Sequence, residues 1–470
     1  MEPLRADRIA QIVGGRLAGG DPSTIVSGVS TDSRTVQPGE LFVPLKGERF
    51  DGHDFVPEAL NRGAAATFWQ AGRPLVRGGD AGAAVIAVDD PLTALHRLAS
   101  WYRTRLGARV VAVTGSNGKT TTKDMATALF AARWSVAKSA GNYNNEIGLP
   151  LAILAAPPGT EVLVLEMAMR GPGQIRQLAD IARPDIGIVT NVGPVHLELL
   201  GTMERITAAK QELVEALPEH GWAVLNADDP RVRAMAGAAR GRVLLYGCSA
   251  DADVRADHVA TRGLEGVEFT LHWRGEQCRV SVPAPGKHNV HNALAAATAA
   301  LAVGMTLEEI SRGLLAFGEH ASGMRLELRT RPDGVQVIND AYNASPASMA
   351  AALELLGELK GTRRVAILGD MLELGPVSEA AHREVGQAAA AVGVDWFVAV
   401  GRWAETMAAA AVEAGLPPDR VMVLPDAQEA ASWARRFVRP GDVVLVKASR
   451  RLRLERVVAE LLAGEGGETS

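Results

Sequence analysis

The sequence predicts a three-domain α/β protein. Its 470 residues are more than one hydrophobic core usually organises, so several domains are expected. Residues 1–88 combine short strand-like runs with Gly-rich breaks, as in a small α/β domain. After Val110, and again after Arg325, short apolar runs alternate with helical stretches, which favours parallel, doubly wound sheets. We therefore predict domains at residues 1–88, 89–318 and 319–470.

Composition and charge exclude several classes of protein. Hydrophobic residues make up 47% of the chain and charged residues 22%, which is ordinary for a globular protein. Lys and Arg total 49 against 54 Asp and Glu, so there is no basic excess for nucleic-acid binding. Cys248 and Cys278 are too few for a disulfide scaffold or a structural zinc cluster, which favours the cytoplasm.

The chain also lacks the patterns of secretion and membrane insertion. Charges are scattered through residues 1–8, whereas a signal peptide needs an apolar block there. The longest apolar stretch, Ala293–Met305, is shorter than the roughly 20 residues that span a bilayer. We predict that this stretch is a buried helix.

In the first domain, strands are predicted at Leu41–Leu45 and Val85–Val88, with breaks at Gly14–Gly15 and Gly19–Gly20. Asp89–Pro91 then interrupts the chain. Apolar residues recur behind this break at helical spacing, so a helix follows the linker; these residues are Leu92, Leu95, Leu98, Ala99 and Tyr102.

In the central domain, parallel strands are predicted at Val110–Val113, Val162–Leu165, Ile186–Val189 and Ala223–Leu225. Residues 251–283 change to β character, with strands at Val267–Leu271 and Arg279–Val282, and we expect a β edge subdomain there. The third domain is predicted to be Rossmann-like, with strands at Val335–Ile338, Val365–Leu368, Phe397–Val400, Val421–Leu424 and Val443–Val446. Gly318–Gly323 is the expected hinge, and Gly464–Ser470 is a polar tail expected to fray.

The segment Thr114–Thr122, with the sequence Thr-Gly-Ser-Asn-Gly-Lys-Thr-Thr-Thr, carries the strongest chemical signal. It follows a predicted strand and leads into a predicted helix, which makes the central domain P-loop-type. In such a loop, backbone N–H groups and the helix dipole bind phosphates, while Lys119 and the hydroxyl of Thr120 serve phosphate and Mg²⁺. The generic motif requires a glycine where this chain has Val113, so an ordinary strand-to-helix turn is the alternative.

Thr114–Thr122 resembles the ATP loop of the Mur ligases and of their relative folylpolyglutamate synthase. Gly141–Pro150 resembles the Asn-rich segment of that family, which implies substrate binding by Asn142 and Asn145, although a plain turn has the same composition. Gly286–Leu294 resembles the Gly-x-His-Asn segment of the family, whose asparagines reach the nucleotide. The candidates for ATP contact are Thr114, Gly115, Ser116, Asn117, Gly118, Lys119, Thr120, Thr121, Asn289 and Asn292.

Two carboxyl-end positions suggest a metal site. Glu166 closes a buried strand, and His196 follows the next strand, so both face the crevice where parallel sheets bind ligands. A lone histidine in a loop is more often structural, which is the alternative for His196. Thr120 is a third candidate ligand. Lys210 alone would be an ordinary solvated helix lysine, but the family resemblance implies that it is carbamylated and binds a second Mg²⁺. Lys119, His196 and Lys210 are thus the catalytic candidates.

The third domain resembles the D-alanyl-D-alanine-adding branch of the family, in Asn339–Met349 and in Leu368–Gly375. This resemblance implies that Tyr342 and Asn343 bind substrate. Arg325 and Asp340 are the expected nucleotide contacts from this side. Lys447–Glu455 resembles a segment that usually reads Lys-Gly-Ser-Arg-Gly; here Ala448 and Arg451 replace the glycines. Because both tolerate positive φ poorly, we expect a different turn around the candidate substrate ligands Ser449 and Arg450. A solvated arginine face is the alternative.

The first domain resembles the family part that binds the UDP-sugar end of the substrate, in Ser30–Arg34 and Leu41–Phe55. The implied substrate ligands are Ser30, Thr31, Asp32, Ser33, Arg34, Lys46 and Gly47.

Together these resemblances imply an ATP-dependent acid–amino-acid ligase of class EC 6.3.2. The expected substrates are ATP, UDP-N-acetylmuramoyl-tripeptide and D-alanyl-D-alanine, joined through an acyl phosphate with two Mg²⁺ ions. We expect a monomer without nucleic-acid partners. A sibling amide ligase and a P-loop ATPase that acts as a conformational switch are the alternatives.

Overall fold

A computed structural model describes residues 1–47, 49–74, 82–320, 322–359 and 363–463. It contains three large sheets, one for each part of the chain. The predicted tail at residues 464–470 lies outside the described residues, as does position 321 of the predicted hinge. No helix in the described ranges combines the length and the apolar character needed to cross a bilayer.

The first part of the chain forms a five-stranded sheet in the order β2-β7-β6-β5-β4, parallel except for β2. Its elements are β1 (Leu4–Arg5), α1 (Ala6–Val13), β2 (Arg16–Gly19), β3 (Ile25–Val26), β4 (Gly28–Ser30), β5 (Glu40–Phe42), α2 (Val56–Asn61), β6 (Ala66–Gln70), β7 (Ala84–Val88) and α3 (Pro91–Leu106). The strand predicted at Leu41–Leu45 ends early, because Pro44 has no N–H to donate to the ladder.

The helix predicted after the linker is α3, and the sequence fixes its start. The Asp90 carboxylate accepts a hydrogen bond from the Thr93 N–H at 2.8 Å, and Pro91 occupies the first helical position. The helix packs against α1 and joins the first sheet to the central part of the chain.

The central part is a nine-stranded sheet in the order β16-β15-β14-β13-β12-β11-β8-β10-β9. Its elements are β8 (Arg109–Thr114), α4 (Lys119–Ala131), β9 (Val136–Lys138), α5 (Gly148–Ala155), β10 (Val162–Glu166), α6 (Gln174–Ala182), β11 (Ile186–Val189), α7 (Leu197–Leu200), α8 (Met203–Glu215), β12 (Trp222–Asn226), α9 (Pro230–Ala234), β13 (Arg242–Gly247), β14 (Val254–Thr261), β15 (Val267–Trp273), β16 (Glu276–Val282), α10 (His288–Ala302) and α11 (Leu307–Leu315). The strands β14 to β16 form the predicted β edge, paired antiparallel with one another.

Two layers of helices cover this sheet. The helices α3, α5, α6 and α8 pack on one face, and α4, α10 and α11 pack on the other. The predicted buried helix at Ala293–Met305 corresponds to α10, which ends at Ala302. Its apolar side chains fill the core between the sheet and the layer of α4, α10 and α11. The strands β9 and β10 lie on one side of β8, and β11 lies on the other, so the strand order reverses at β8. A crevice therefore opens at the carboxyl end of β8, where doubly wound sheets bind ligands.

The last part is a six-stranded sheet in the order β17-β18-β22-β19-β20-β21, parallel except for β17. Its elements are β17 (Glu327–Thr330), β18 (Gln336–Asp340), α12 (Pro346–Glu358), β19 (Arg364–Gly369), α13 (Ser378–Ala391), β20 (Trp396–Val400), α14 (Ala404–Glu413), β21 (Val421–Leu424), α15 (Ala427–Phe437), β22 (Val443–Lys447) and α16 (Glu455–Ala463). This is the Rossmann-like arrangement that the sequence predicts. The strands β9, β13 and β17 were not among the predicted strands. The strand β17 is a short edge strand with half its residues exposed.

Candidate active site

The predicted phosphate loop, residues 114–122, connects β8 to α4 at the crevice. Two glycines shape it, Gly115 with φ 146° and Gly118 with φ 79°. A Cβ atom on Gly115 would lie 1.8 Å from Thr190 Oγ1, and one on Gly118 would lie 2.3 Å from Asn292 Oδ1. Glycine is therefore required at both positions, for the backbone conformation and for the close approach of neighbouring side chains.

The Lys119 side chain folds back over this loop. Its Nζ donates hydrogen bonds to the carbonyl oxygens of Gly115 at 2.8 Å and Ser116 at 3.1 Å. Burial lowers the pKa of Lys119, the charge of Glu166 raises it, and the charge of Arg325 lowers it further. These three groups thus lie in one cleft, although Arg325 belongs to the last part of the chain.

Glu166 ends β10 and is only 2% exposed, as the sequence predicts for a residue facing the crevice. Its Oε2 accepts a hydrogen bond from Thr120 Oγ1 at 2.6 Å, and its Oε1 accepts one from Asn144 Nδ2 at 2.8 Å. Asn145, a predicted substrate ligand, instead accepts a hydrogen bond from the Gly148 N–H at 2.8 Å, at the start of α5. Asn142 is exposed in the same segment.

His196 and Lys210 lie on the other side of the crevice. His196 has φ 56°, and its Nδ1 is hydrogen-bonded to the Glu373 carboxylate of the last domain. Among the described residues, no group is hydrogen-bonded to its Nε2. Burial lowers the pKa of His196, as do the charges of Lys119 and Lys210, while Glu373 raises it. Lys210 is 2% exposed. Burial, together with the charge of Lys119, sets its pKa well below that of an ordinary lysine, and no carboxylate of the described residues pairs with it.

A chain of amides links α10 to the helix behind the phosphate loop. Thr122 Oγ1 donates to Asn292 Oδ1 at 3.3 Å, and Asn292 Nδ2 donates to Asn289 Oδ1 at 2.8 Å. Asn289 Nδ2 in turn donates to the Pro285 carbonyl at 2.8 Å. The spacing of three residues thus places both asparagines on one face of α10.

Several residues of the last domain that were predicted to bind ligands instead contact other residues of the same domain. Lys447 Nζ lies 2.6 Å from Asp340 Oδ2, and this pair is largely buried. The Arg325 guanidinium lies 4.2 Å from the centre of the Tyr342 ring. Lys447 also donates to the Asn343 carbonyl at 2.9 Å. In this conformation Asp340 therefore holds its own domain together, and its contact with nucleotide remains a prediction.

Ser345 joins the last domain directly to the phosphate loop. Its Oγ donates to Asn117 Oδ1 at 2.7 Å and also accepts from the Ser348 N–H as the cap of α12. In the sequence, Ser345 followed by Pro346 is typical of a helix cap and first helical position, but this pattern does not reveal the contact with Asn117.

In the segment Lys447–Glu455, the two residues that stand in place of the family's glycines lie outside the left-handed region. Neither Ala448 nor Arg451 has positive φ; Arg453 does, with φ 56°. Ser449 Oγ accepts a hydrogen bond from the Leu372 N–H at 2.9 Å, and Arg450 pairs with Glu455 at 3.4 Å.

In the first domain, Arg34 forms a bidentate pair with Asp32 at 2.9 and 2.7 Å. Hydrogen bonds from Arg34 lower the pKa of Asp32 to about 2. Ser30 Oγ donates to the Asp32 carbonyl at 3.2 Å, while Ser33 is buried and donates to Glu58 at 2.9 Å. Thr31 lies at the start of the same turn, and Lys46 and Gly47 lie in the turn after β5. The roles of these residues in substrate binding remain predictions.

A charged cluster fastens the linker between the last two domains to α4. Asp124 Oδ1 accepts from Lys138 Nζ at 2.8 Å, and Asp124 Oδ2 accepts from the Ser322 N–H at 2.9 Å. Lys138 also donates to the His320 carbonyl at 2.6 Å. Asp124 is 1% exposed and also lies 3.4 Å from Lys123. The helix that starts at the phosphate loop is thus bonded to the linker on which the last domain would turn.

The chain matches known protein families in three consecutive blocks. Family models match at residues 25–103 (Mur ligase family, catalytic domain), 113–300 (Mur ligase middle domain) and 324–450 (Mur ligase, glutamate ligase domain). The UDP-N-acetylmuramoyl-tripeptide--D-alanyl-D-alanine ligase of Bacillus subtilis (strain 168) is 41% identical over 456 residues, which are 97% of each chain. The chain belongs to the Mur ligase family.

Solved structures of Mur ligases are also similar to the chain. MurF from Acinetobacter baumannii superimposes with a TM-score of 0.87 and 30% identity, over 98% of this chain and 99% of that one. The MurF ligase of Thermotoga maritima in complex with ADP has a TM-score of 0.78 and 32% identity, over 93% of this chain and 97% of that one. The predicted three-domain α/β fold and the family resemblance are confirmed.

Three residues of this cleft were missed as site residues from the sequence, namely Asn144, Glu373 and Ser345. Each lies inside a segment already singled out by its resemblance to the family. Asn144 is a neighbour of the predicted Asn145, and Ser345 was recognised only as a cap. Their partners are distant in the chain, so no local pattern could have identified these contacts.

Proposed function

We propose that this Mur ligase joins D-alanyl-D-alanine to UDP-N-acetylmuramoyl-tripeptide, with hydrolysis of ATP to ADP and phosphate. The product is the UDP-linked pentapeptide precursor of peptidoglycan, so the enzyme serves cell-wall synthesis and, through it, cell shape and division. The observation that carries the proposal is the similarity to a ligase named for this reaction over nearly the whole of both chains. The cleft geometry supports the ATP-dependent half of the reaction.

In the proposed reaction the terminal carboxylate of the tripeptide attacks the γ-phosphorus of ATP, and the bond to ADP breaks. The amine of D-alanyl-D-alanine then attacks the carbonyl carbon of the acyl phosphate, loses a proton, and expels inorganic phosphate. The N–H groups at the start of α4 point toward the phosphates, where the helix dipole favours negative charge. Lys119, released from the carbonyls of its own loop, neutralises the transferring phosphoryl group.

Two Mg²⁺ ions are part of the proposal. Thr120 and Glu166 present a hydroxyl and a carboxylate side by side, which are oxygen ligands of the kind that Mg²⁺ prefers. His196 has Nε2 free for a second ion. When bound, the ions supply positive charge to the phosphoryl oxygens and to the leaving group.

Carbamylation of Lys210 belongs to the same proposal. A buried lysine without a carboxylate partner is uncharged more readily than a solvated one, and a neutral amine can add CO₂. The carbamate would be an anionic oxygen ligand for the second Mg²⁺. Carbon-13-labelled bicarbonate should give a carbamate resonance that Lys210→Arg lacks. Lys210→Ala should lose ligase activity and regain part of it with formate; full activity without formate would remove Lys210 from the site.

Each domain has one role in this proposal. Residues 1–88 bind the UDP-sugar end of the substrate, residues 89–318 bind ATP, and residues 319–470 close over the nucleotide and exclude water from the acyl phosphate. The contacts from Ser345 to Asn117 and from Glu373 to His196 support a closed arrangement. We further propose a cytoplasmic monomer, consistent with two free cysteines.

The decisive experiment measures phosphate release from ATP with UDP-N-acetylmuramoyl-tripeptide and different amines. Release only with D-alanyl-D-alanine, together with a UDP-linked pentapeptide in mass spectrometry, is the expected result. Release with a single amino acid would instead identify a sibling amide ligase. Release that needs neither substrate would identify an ATPase switch.

A further inference from the structure

Three side chains that the proposed reaction does not use converge beside the nucleotide cleft. Asp228 follows β12, Cys248 follows β13, and His291 lies in the first turn of α10. One potential ligand atom from each lies within 4.8 Å of the other two. His291 Nε2 is 2.9 Å from Asp228 Oδ2.

The surrounding backbone holds two of these groups in place. Asp228 Oδ2 accepts from the Cys248 N–H at 2.6 Å, and Oδ1 accepts from the Ser249 N–H at 3.0 Å. A Cβ atom on Gly247 would lie 2.7 Å from Asp228 Oδ1, so glycine at this position lets the carboxylate approach the next strand end. These bonds leave one lone pair of Asp228 Oδ2 for a further ligand, and in this structure His291 occupies that position.

The ligand types favour one class of cation. A thiol, an imidazole and a carboxylate are the groups that Zn²⁺ binds, whereas Mg²⁺ takes oxygen ligands and not sulfur. Zinc–ligand bonds are about 2.0–2.3 Å long, which places the ligand atoms of a tetrahedral site roughly 3.3–3.8 Å apart. The three candidate atoms lie within 4.8 Å of one another, so small movements of their side chains would bring them onto one ion. The ion would replace the proton between His291 and Asp228, and a fourth position would remain for water.

We propose that Asp228, Cys248 and His291 form a binding site for a thiophilic divalent cation of the Zn²⁺ class, separate from the Mg²⁺ ligands. The site adjoins the phosphate loop through Asn292, the residue after His291. Asn292 accepts a hydrogen bond from Thr122 of the loop. A bound ion would tie the first turn of α10 to the ends of β12 and β13.

The test uses the full-length protein, freed of metal with a chelator and titrated with Co²⁺. One Co²⁺ per chain should bind with a thiolate-to-metal charge-transfer band in the near ultraviolet, and Zn²⁺ should displace it. Cys248→Ser and His291→Gln should abolish the band while circular dichroism stays unchanged. Cys278→Ser is the matched control, because Cys278 is the second cysteine of the chain and its thiol contacts the Leu307 carbonyl instead.

Several outcomes would overturn the proposal. One is the absence of a charge-transfer band. This outcome includes Co²⁺ that binds without a thiolate, for example at Asp257 and the two histidines that contact it, His258 and His272. Another is a band that persists in Cys248→Ser or disappears in Cys278→Ser. A band that excess Mg²⁺ removes would also contradict a site selective for thiophilic ions. None of these readouts depends on ligase activity.

Discussion

Replacing Gly118 by alanine tests how closely the phosphate loop fits the helix behind it. Gly118 has φ 79°, and an added Cβ would lie 2.3 Å from Asn292 Oδ1. The chain offers a matched control in Gly173, which has φ 80°, also precedes a helix, and has no atom within 4 Å of an added Cβ. The two substitutions therefore share backbone strain but differ in the collision.

The magnitudes follow from this comparison. Forcing alanine into the left-handed region costs about 1–2 kcal/mol in both variants. Gly118→Ala must also displace Asn292 and weaken its hydrogen bonds with Thr122 and Asn289. At roughly 0.5–1.5 kcal/mol for each bond, the extra cost is about 1–3 kcal/mol. If the loop must regain its shape to bind phosphate, ATP affinity falls about 5- to 150-fold.

Isothermal titration with ATP and thermal unfolding of both variants would test this reasoning. Both variants should unfold at lower temperature than the parent, but only Gly118→Ala should bind ATP more weakly. Parental ATP affinity in Gly118→Ala would show that the contact with Asn292 does not shape the loop. An equal loss of affinity in Gly173→Ala would show that the effect is general destabilisation.

Three further predictions concern the cleft and the last domain. Ser345→Ala and the control Thr306→Ala each remove a helix cap worth about 1 kcal/mol. Only Ser345→Ala should raise the KM for ATP, because it also loses the hydrogen bond to Asn117. Equal KM values in the two variants would contradict this prediction. Thr120→Val should raise the Mg²⁺ concentration needed for half-maximal activity, whereas Thr127→Val, two turns along α4, should not; an unchanged Mg²⁺ requirement would remove Thr120 from the metal site. Burial lowers the pKa of His382, so the unfolded chain takes up a proton first, and stability of the last domain should be lost as pH falls below about 6.5. His382→Gln should flatten this dependence in thermal unfolding, and a parental curve already flat in that range would refute the argument.

Much of the fold could be predicted because buried parallel strands carry a clear pattern. Each strand predicted from Val110 onward lies within an observed strand, except that Val335 precedes the first residue of β18. The position of Glu166 followed from the same pattern, since the end of a buried parallel strand faces the crevice. The edge strand β17 has no such run, because its residues are half exposed and polar.

The details of the cleft could not be predicted, because they depend on which way neighbouring side chains point. Asn144 and Asn145 are chemically identical, yet the first donates to Glu166 and the second accepts a hydrogen bond from the Gly148 N–H. Asp340 could be assigned equally well to nucleotide or to Lys447, and its partner is 107 positions away. Local sequence determines which groups are available, whereas tertiary packing selects their partners.

The attachment of the linker to Asp124 has a consequence for inhibition. Asp124 and Lys138 hold the Ser322 N–H and the His320 carbonyl from positions outside the phosphate loop. A compound that binds Asp124 and Lys138 in place of the Ser322 N–H and the His320 carbonyl would detach the linker from α4. The ATP loop would remain accessible to nucleotide. Such a compound would resemble no substrate of the reaction, and rising ATP concentrations would not compete it away.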